Sequence, residues 1–175
     1  GVARFVLINN AGVVEPIGLV ESLVGARAAG PGQPAPGAPG ADALMRALQV
    51  NVAAPMLLAA SFLAATEASG VERRILNVSS GAGRYPVAGW SAYCASKAAL
   101  DLFTRCIALE HGGRPNPPRV CSLAPGIVDT DMQATIRAST PERFPMHERF
   151  VGMHRAGALA SAADCAQQLV AHLLG

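Results

Sequence analysis

The chain has 175 residues, 51% of them apolar and 15% charged, with a net charge of +2. That length and apolar content suit one domain with a sizeable core and exclude a disordered chain. The near-neutral balance, with no basic run, excludes an electrostatic footprint for nucleic acid. Four cysteines, Cys94, Cys106, Cys121 and Cys165, form no CxxC pair and no zinc-like spacing with His111, His147, His154 or His172. No metal site is therefore expected, and the thiols read as buried and reduced, as in an intracellular protein. No signal-peptide pattern is visible. The most apolar helix carries Asn51 and Pro55 and reads as too weak for a membrane span, so a cytoplasmic location is expected.

In chain order, Arg4 to Ile8 reads as a fully buried strand without polar alternation. Asn9-Asn10-Ala11-Gly12 follows as a turn whose amides can tie strands together and whose glycine lets a ligand approach; an ordinary strand-end turn fits equally well. The Gly/Pro/Ala-rich stretch 25–41 reads as a flexible surface insertion without chemistry. Asp42 is the expected N-cap of a long helix to about Ser69, with Leu44, Leu48, Val52 and Met56 as its apolar stripe. Asn51, beside that stripe, is a poor helix former and is expected to bond a distorted backbone or hold a water.

Arg74 to Val78 is the second strand, ending at Ser79-Ser80-Gly81. A helix carrying Tyr93 and Lys97 runs to Gly112-Gly113. Val120 to Ala124 is the third strand, cut by Pro125-Gly126, and Ile127 to Met132 leads into a short helix. Ser161 caps a last helix, Ala162 to Leu174, whose expected core face is Ala166, Leu169, Val170 and Leu173. Apolar strands alternating with helices signal a parallel sheet with right-handed crossovers, and such sheets bind ligands beyond the strands' carboxyl ends. Asn9 to Gly12, Ser79 to Gly81 and Pro125 to Thr130 should thus converge with Tyr93 and Lys97 on one rim.

Tyr93 and Lys97 are four residues apart on one helix face, and a neighbouring ammonium is expected to lower the phenol's pKa. By itself such a pair is most often a solvated one. Here, however, Lys97 is the one lysine among 14 basic residues, the rest being arginine. A planar guanidinium cannot replace a compact ammonium. Tyr93 is therefore a candidate acid/base, and Ser80 can reach the same point from a strand end.

Together, NNAG at 9–12, Asn51 in LQVNV, Ser80 in NVSS, Tyr93-Cys-Ala-Ser-Lys97 and Pro125-Gly126 with Thr130 resemble the short-chain dehydrogenase/reductases, over roughly residues 4 to 132. Within that family, Gly89 to Cys94, Ala108 to Glu110 and Ala124 to Gln133 most resemble sepiapterin reductase and its microbial relatives. The resemblance implies a Rossmann-like parallel sheet with flanking helices. This chain is expected to carry the second half only, a truncated three-layer sandwich forming a single partial domain. It also implies reduction of a small-molecule carbonyl by NADPH, with NADH left open.

The resemblance assigns roles as well. Tyr93 would give its proton to the carbonyl oxygen, Lys97 would hold the ribose hydroxyls, Ser80 would orient the carbonyl, and Asn51 would keep a water linking Lys97 to solvent. The backbone of Asn9, Asn10, Ala11 and Gly12 would line the adenosine side. Pro125, Gly126, Val128 and Thr130 would hold the carboxamide. Trp90 and residues 132–160 would cover the substrate, with core packing equally open for Trp90. The complete protein is expected to be a homo-oligomer.

The family's glycine-rich pyrophosphate turn and final strand do not occur in these residues. A fragment of a longer protein or a truncated relative is therefore expected, binding dinucleotides weakly by itself and associating through an exposed strand edge. A non-catalytic relative that only pairs with other subunits, and an epimerase or dehydratase sharing the YxxxK pair, remain as alternatives.

Overall fold

A computed structural model of the chain describes residues 1–24 and 40–175. Its three apolar runs form strands β1 (Arg4–Asn9), β2 (Glu72–Val78) and β3 (Arg119–Leu123), paired in parallel in the order β1-β2-β3. The register sets Leu7 opposite Ile75, and Ile75 opposite Val120. Parallel pairing requires a long crossover after each strand. The first comprises α1 (Ala41–Leu48), a π-helical turn (Gln49–Ala53) and α2 (Ala54–Thr66); the second contains α3 (Ser91–His111). Three shorter helices follow β3: α4 (Asp131–Arg137), α5 (His147–Arg155) and α6 (Ala162–Leu174).

One face of the sheet packs on α2 and α3, where Ala59, Ile75 and Ile107 form a core with Leu7, Phe62, Phe103 and Val120. The central strand β2 is buried from Arg73 to Asn77. The expected full burial of the first strand fails. Val6 and Ile8 are 38% and 42% exposed, because alternate side chains face opposite sides and the crossover helices cover only the Leu7 side of this edge strand. On the opposite face the foot of α6 is clamped by two arginines. Buried Arg74 donates to the Leu173 carbonyl, and Arg4 donates to the Leu174 carbonyl at 2.9 Å. Cations at a helix C-terminus complement its dipole. Ser161 caps the other end, accepting from the Asp164 N–H at 3.0 Å.

The first crossover departs from expectation in three respects. Its cap is Gly40 rather than Asp42, which lies in the first turn, where its charge suits the helix dipole. Gly40 and Ala41 thus belong to the helix start, while the rest of the 25–41 insertion lies outside the described residues. The buried stripe is Ala47, Asn51, Pro55, Ala59 and Thr66, not the Leu44 to Met56 stripe, and Met56 is 39% exposed. Small residues win that face because they let the helix sit close to its neighbours. Finally, the helical run 41–69 is, by length and composition, apolar enough to cross a membrane, contrary to the weaker reading of its composition. In this fold its small-residue face packs against the sheet and α3.

The cysteines also differ from expectation: all are free, but Cys106 is exposed and the other three are only partly buried. On α6, Leu173 alone of the expected core face is fully buried, and Val170 is 41% exposed.

Candidate active site

Because the strands are parallel, Asn9, Val78 and Leu123 end on one side of the sheet, and the chain leaves all three toward the start of α3. The turn after β2, Gly81–Gly83, is pressed against that helix: a Cβ at Gly83 would stand 2.8 Å from the Lys97 backbone carbon. Glycine is required for this approach, which brings Ser80 beside the first turns of α3. The Ser80 hydroxyl accepts from the Ala82 N–H at 3.2 Å.

Tyr93 and Lys97 are both buried. The Lys97 ammonium lies 5.7 Å from the Tyr93 ring centroid and donates to the Val78 carbonyl at 2.9 Å. Gly12 packs on the same group, since a Cβ there would be 3.4 Å from Lys97 Nζ and 3.5 Å from Asn51 Oδ1. Burial pushes the Tyr93 phenol above its ordinary pKa, with the Ser80 hydroxyl acting in the opposite direction. This corrects the expectation of a lowered pKa: desolvation of the phenolate outweighs the hydrogen bond with Ser80. Lys97 is itself lowered to about 8 by burial, partly offset by the Asp101 carboxylate one turn further on.

These groups open onto a cavity of about 560 Å³. Ser80, Trp90, Tyr93 and Lys97 line it, as do Asn10, Ala11 and Gly12 from the first turn and Pro125, Gly126, Val128 and Thr130 from the third. Two expected site residues stand behind its wall. Asn9 donates to Asn77 Oδ1 at 2.8 Å and ties β1 to β2. Asn51 is wholly buried and bonds the Val13 backbone and Ser96.

Trp90 both lines the cavity and belongs to a core, stacked on Phe144 at 4.7 Å and edge-on to Tyr93 at 5.5 Å. From the 132–160 region, Met132, Gln133, Ile136 and Phe150 reach the cavity, whereas Met146 and Met153 pack in the core beneath. Residues Ala162, Cys165, Ala166 and Leu169 complete the wall from α6. That contribution had no signal in the sequence. It explains why Ala166 and Leu169 are not in a core: they front the cavity.

A parallel sheet with a buried tyrosine–lysine pair at the carboxyl ends of its strands defines a Rossmann-like α/β domain. The chain belongs to the short chain dehydrogenases, whose family model matches residues 5–141. It is 36% identical to a benzil reductase, (S)-benzoin forming, of Bacillus cereus over 155 residues, covering 89% of this chain and 56% of that protein. It is 36% identical to the sepiapterin reductase of Xenopus tropicalis over 105 residues, 59% of this chain and 38% of that one. Among solved structures, the KRED1-Pglu enzyme superposes with a TM-score of 0.78 at 31% identity, covering 97% of this chain and 62% of that chain. The chain thus spans about half the length of the Bacillus relative, and the likeness to the benzil reductase covers more of it than the sepiapterin reductase likeness.

Proposed function

We propose that the protein is a carbonyl reductase using a nicotinamide dinucleotide and acting on small-molecule ketones. The observation that carries this reading is one cavity lined by Tyr93, Ser80 and Lys97 together with apolar side chains from α4 and α5. A buried, protonated phenol is the acid that reduction needs, because hydride addition leaves negative charge on the carbonyl oxygen. Tyr93 would deliver its proton to that oxygen while the Ser80 hydroxyl holds it in place. Lys97 has three donors, one spent on the Val78 carbonyl, so the others remain for ribose hydroxyls and for the phenolate left on Tyr93.

The residues present suit the nicotinamide end of such a cofactor. Gly12 keeps side-chain bulk away from the Lys97 ammonium, and Gly126 and Thr130 offer open backbone and a hydroxyl for a carboxamide. When bound, the nicotinamide supplies the hydride. The sepiapterin reductase likeness favours NADPH over NADH. Asn51, buried directly behind Gly12 and Lys97, is read as the proton-resupply residue.

The substrate reading leans on the benzil reductase likeness, benzil being a diketone. We also read the protein as cytoplasmic, which its free thiols support, and as a homo-oligomer. Exposed Leu57 and Leu58 on α2, and Leu102 and Leu109 on α3, supply apolar surface for a second copy to cover. The functional test is loss of the reduced nicotinamide's near-ultraviolet absorbance when benzil or a simple aryl ketone is added. Consumption matched by alcohol formation is expected; no consumption with any mono- or dicarbonyl in a panel would refute the reading.

A further inference from the structure

We infer that Gln133 is a specificity-determining residue whose side-chain amide donates a hydrogen bond to a second oxygen of the substrate, beside the carbonyl that Tyr93 protonates. Vicinal diketones are the class that this favours, and the inference rests on the carbonyl reductase reading above. Gln133 lies on α4 and is 5% exposed; Met132, Ile136, Phe150 and Trp90 line the same cavity, as do Thr130 and Asp131 at the start of the helix. An amide placed among apolar groups is costly unless both its ends are bonded.

One end is bonded. Gln133 Oε1 accepts from Arg137 Nη1 at 3.4 Å, and the same nitrogen of Arg137 is held by Asp129 Oδ1 at 3.6 Å. A guanidinium has donors only, so it must face the amide oxygen, and the orientation of the amide is settled by chemistry. Nε2 therefore turns away from Arg137. Among the described residues it has no hydrogen-bond partner, yet unlike the sealed Trp90 Nε1 it retains access to the cavity.

A neutral donor beside the apolar side chains of Met132, Ile136, Phe150 and Trp90 suits a neutral oxygen carried between hydrocarbon groups. A diketone offers one oxygen to Tyr93 and Ser80 and the other to Gln133, whereas a monoketone leaves the amide unpaired. Sites built to bond a polar group discriminate against analogues that lack it.

The test compares benzil with deoxybenzoin, which has the same two-ring skeleton and one carbonyl, using the holoenzyme. In Gln133→Met and Gln133→Glu, both close to glutamine in length, the ratio of kcat/KM for benzil to that for deoxybenzoin should fall about tenfold, chiefly through KM. For a variant too slow to assay, the same ratio is read in dissociation constants from quenching of Trp90, the chain's one tryptophan. An unmoved ratio, with both substrates weakened alike, overturns the assignment and points instead to a bond with the cofactor. A parent enzyme that reduces neither of these ketones but is active elsewhere in the carbonyl panel overturns this inference alone, whereas inactivity across the whole panel overturns the functional reading and this inference with it.

Discussion

Asn51 and Val13 are joined by two hydrogen bonds of opposite sense: the amide oxygen accepts from the Val13 N–H at 2.9 Å, and the amide nitrogen donates to the Val13 carbonyl at 2.8 Å. The same nitrogen also donates to the Ser96 hydroxyl at 3.1 Å, one residue before Lys97. One side chain in a π-helical turn thereby fixes both the loop after β1 and the helix that carries the acid/base pair.

Asn51→Leu should consequently unsettle the fold and the site together. It leaves the Val13 N–H and carbonyl without their partner, and an orphaned buried polar group costs about 1–3 kcal/mol. A loss of about 3 kcal/mol in urea unfolding is expected, with weaker cofactor binding. A change below about 1 kcal/mol would show that the loop holds itself.

Tyr93→Phe removes one hydroxyl and keeps the ring that packs against Trp90. Reduction should fall about a thousandfold, within the range that general acid catalysis contributes. Stability should change by less than about 1 kcal/mol. Turnover within a few-fold of the parent would remove Tyr93 from the mechanism.

Lys97 supplies a prediction with a definite sign. Its pKa is lowered from 10.5 to about 8, so the folded protein holds this proton less tightly than the unfolded chain does. The charged group therefore costs stability below pH 8, and that cost disappears as pH rises from about 8 toward 10.5. At about 1.4 kcal/mol per pKa unit it amounts to about 3 kcal/mol. Allowing about 1 kcal/mol for the lost bond to Val78, Lys97→Met should be about 2 kcal/mol more stable than the parent at neutral pH. The difference should shrink in urea melts repeated at pH above about 9. The variant should lose reduction at every pH, and the parent's kcat/KM should fall above about pH 8. A variant less stable than the parent would mean that the bond to Val78 outweighs desolvation.

Two glycine-to-alanine changes should differ in kind. At Gly83 the new methyl would meet the backbone of Lys97 at 2.8 Å and of Ala98 at 3.0 Å, neither of which can yield without shifting α3. Gly83→Ala should lower stability by about 2 kcal/mol. At Gly12 the nearest atoms stand at 3.4 and 3.5 Å, an ordinary contact. Gly12→Ala should fold normally and weaken cofactor binding, as calorimetry would show. Equal melting temperatures for the two variants would contradict this contrast.

Much of the site was legible because it is built from strand ends, which lie close to motifs in sequence. Ser80 and the turns after Asn9 and Leu123 reach the cavity from such positions, and Tyr93 and Lys97 reach it from the first turns of the helix that follows β2. What escaped depends on distant partners. The buried face of the first crossover is chosen by how closely small residues approach the sheet, so the larger residues of the Leu44 to Met56 stripe misled. The Tyr93 pKa reflects desolvation by Phe144, Phe150 and Trp90, which lie near and far along the chain and come together only in the fold. Gln133 reads as one more polar helix residue until Arg137 is seen at its oxygen.

The clamp on α6 has a reach beyond its own contacts. Helix α6 has 13 residues and so rises about 20 Å, close to the roughly 23 Å of the seven-residue strand β2 beside it. It behaves as a strut: its foot is bolted to the entry ends of β1 and β2 by Arg4 and Arg74, and its head forms the outer wall of the cavity through Ala162, Cys165 and Ala166. One wall of the cavity thus belongs to a helix whose other end rests on two guanidinium groups at the far end of the sheet, remote from every reacting atom. The head is pinned in its turn, since the Asp129 N–H donates to the Ala160 carbonyl at 2.9 Å and the Ala160 N–H to the Ile127 carbonyl at 3.1 Å, so this wall is braced at both ends.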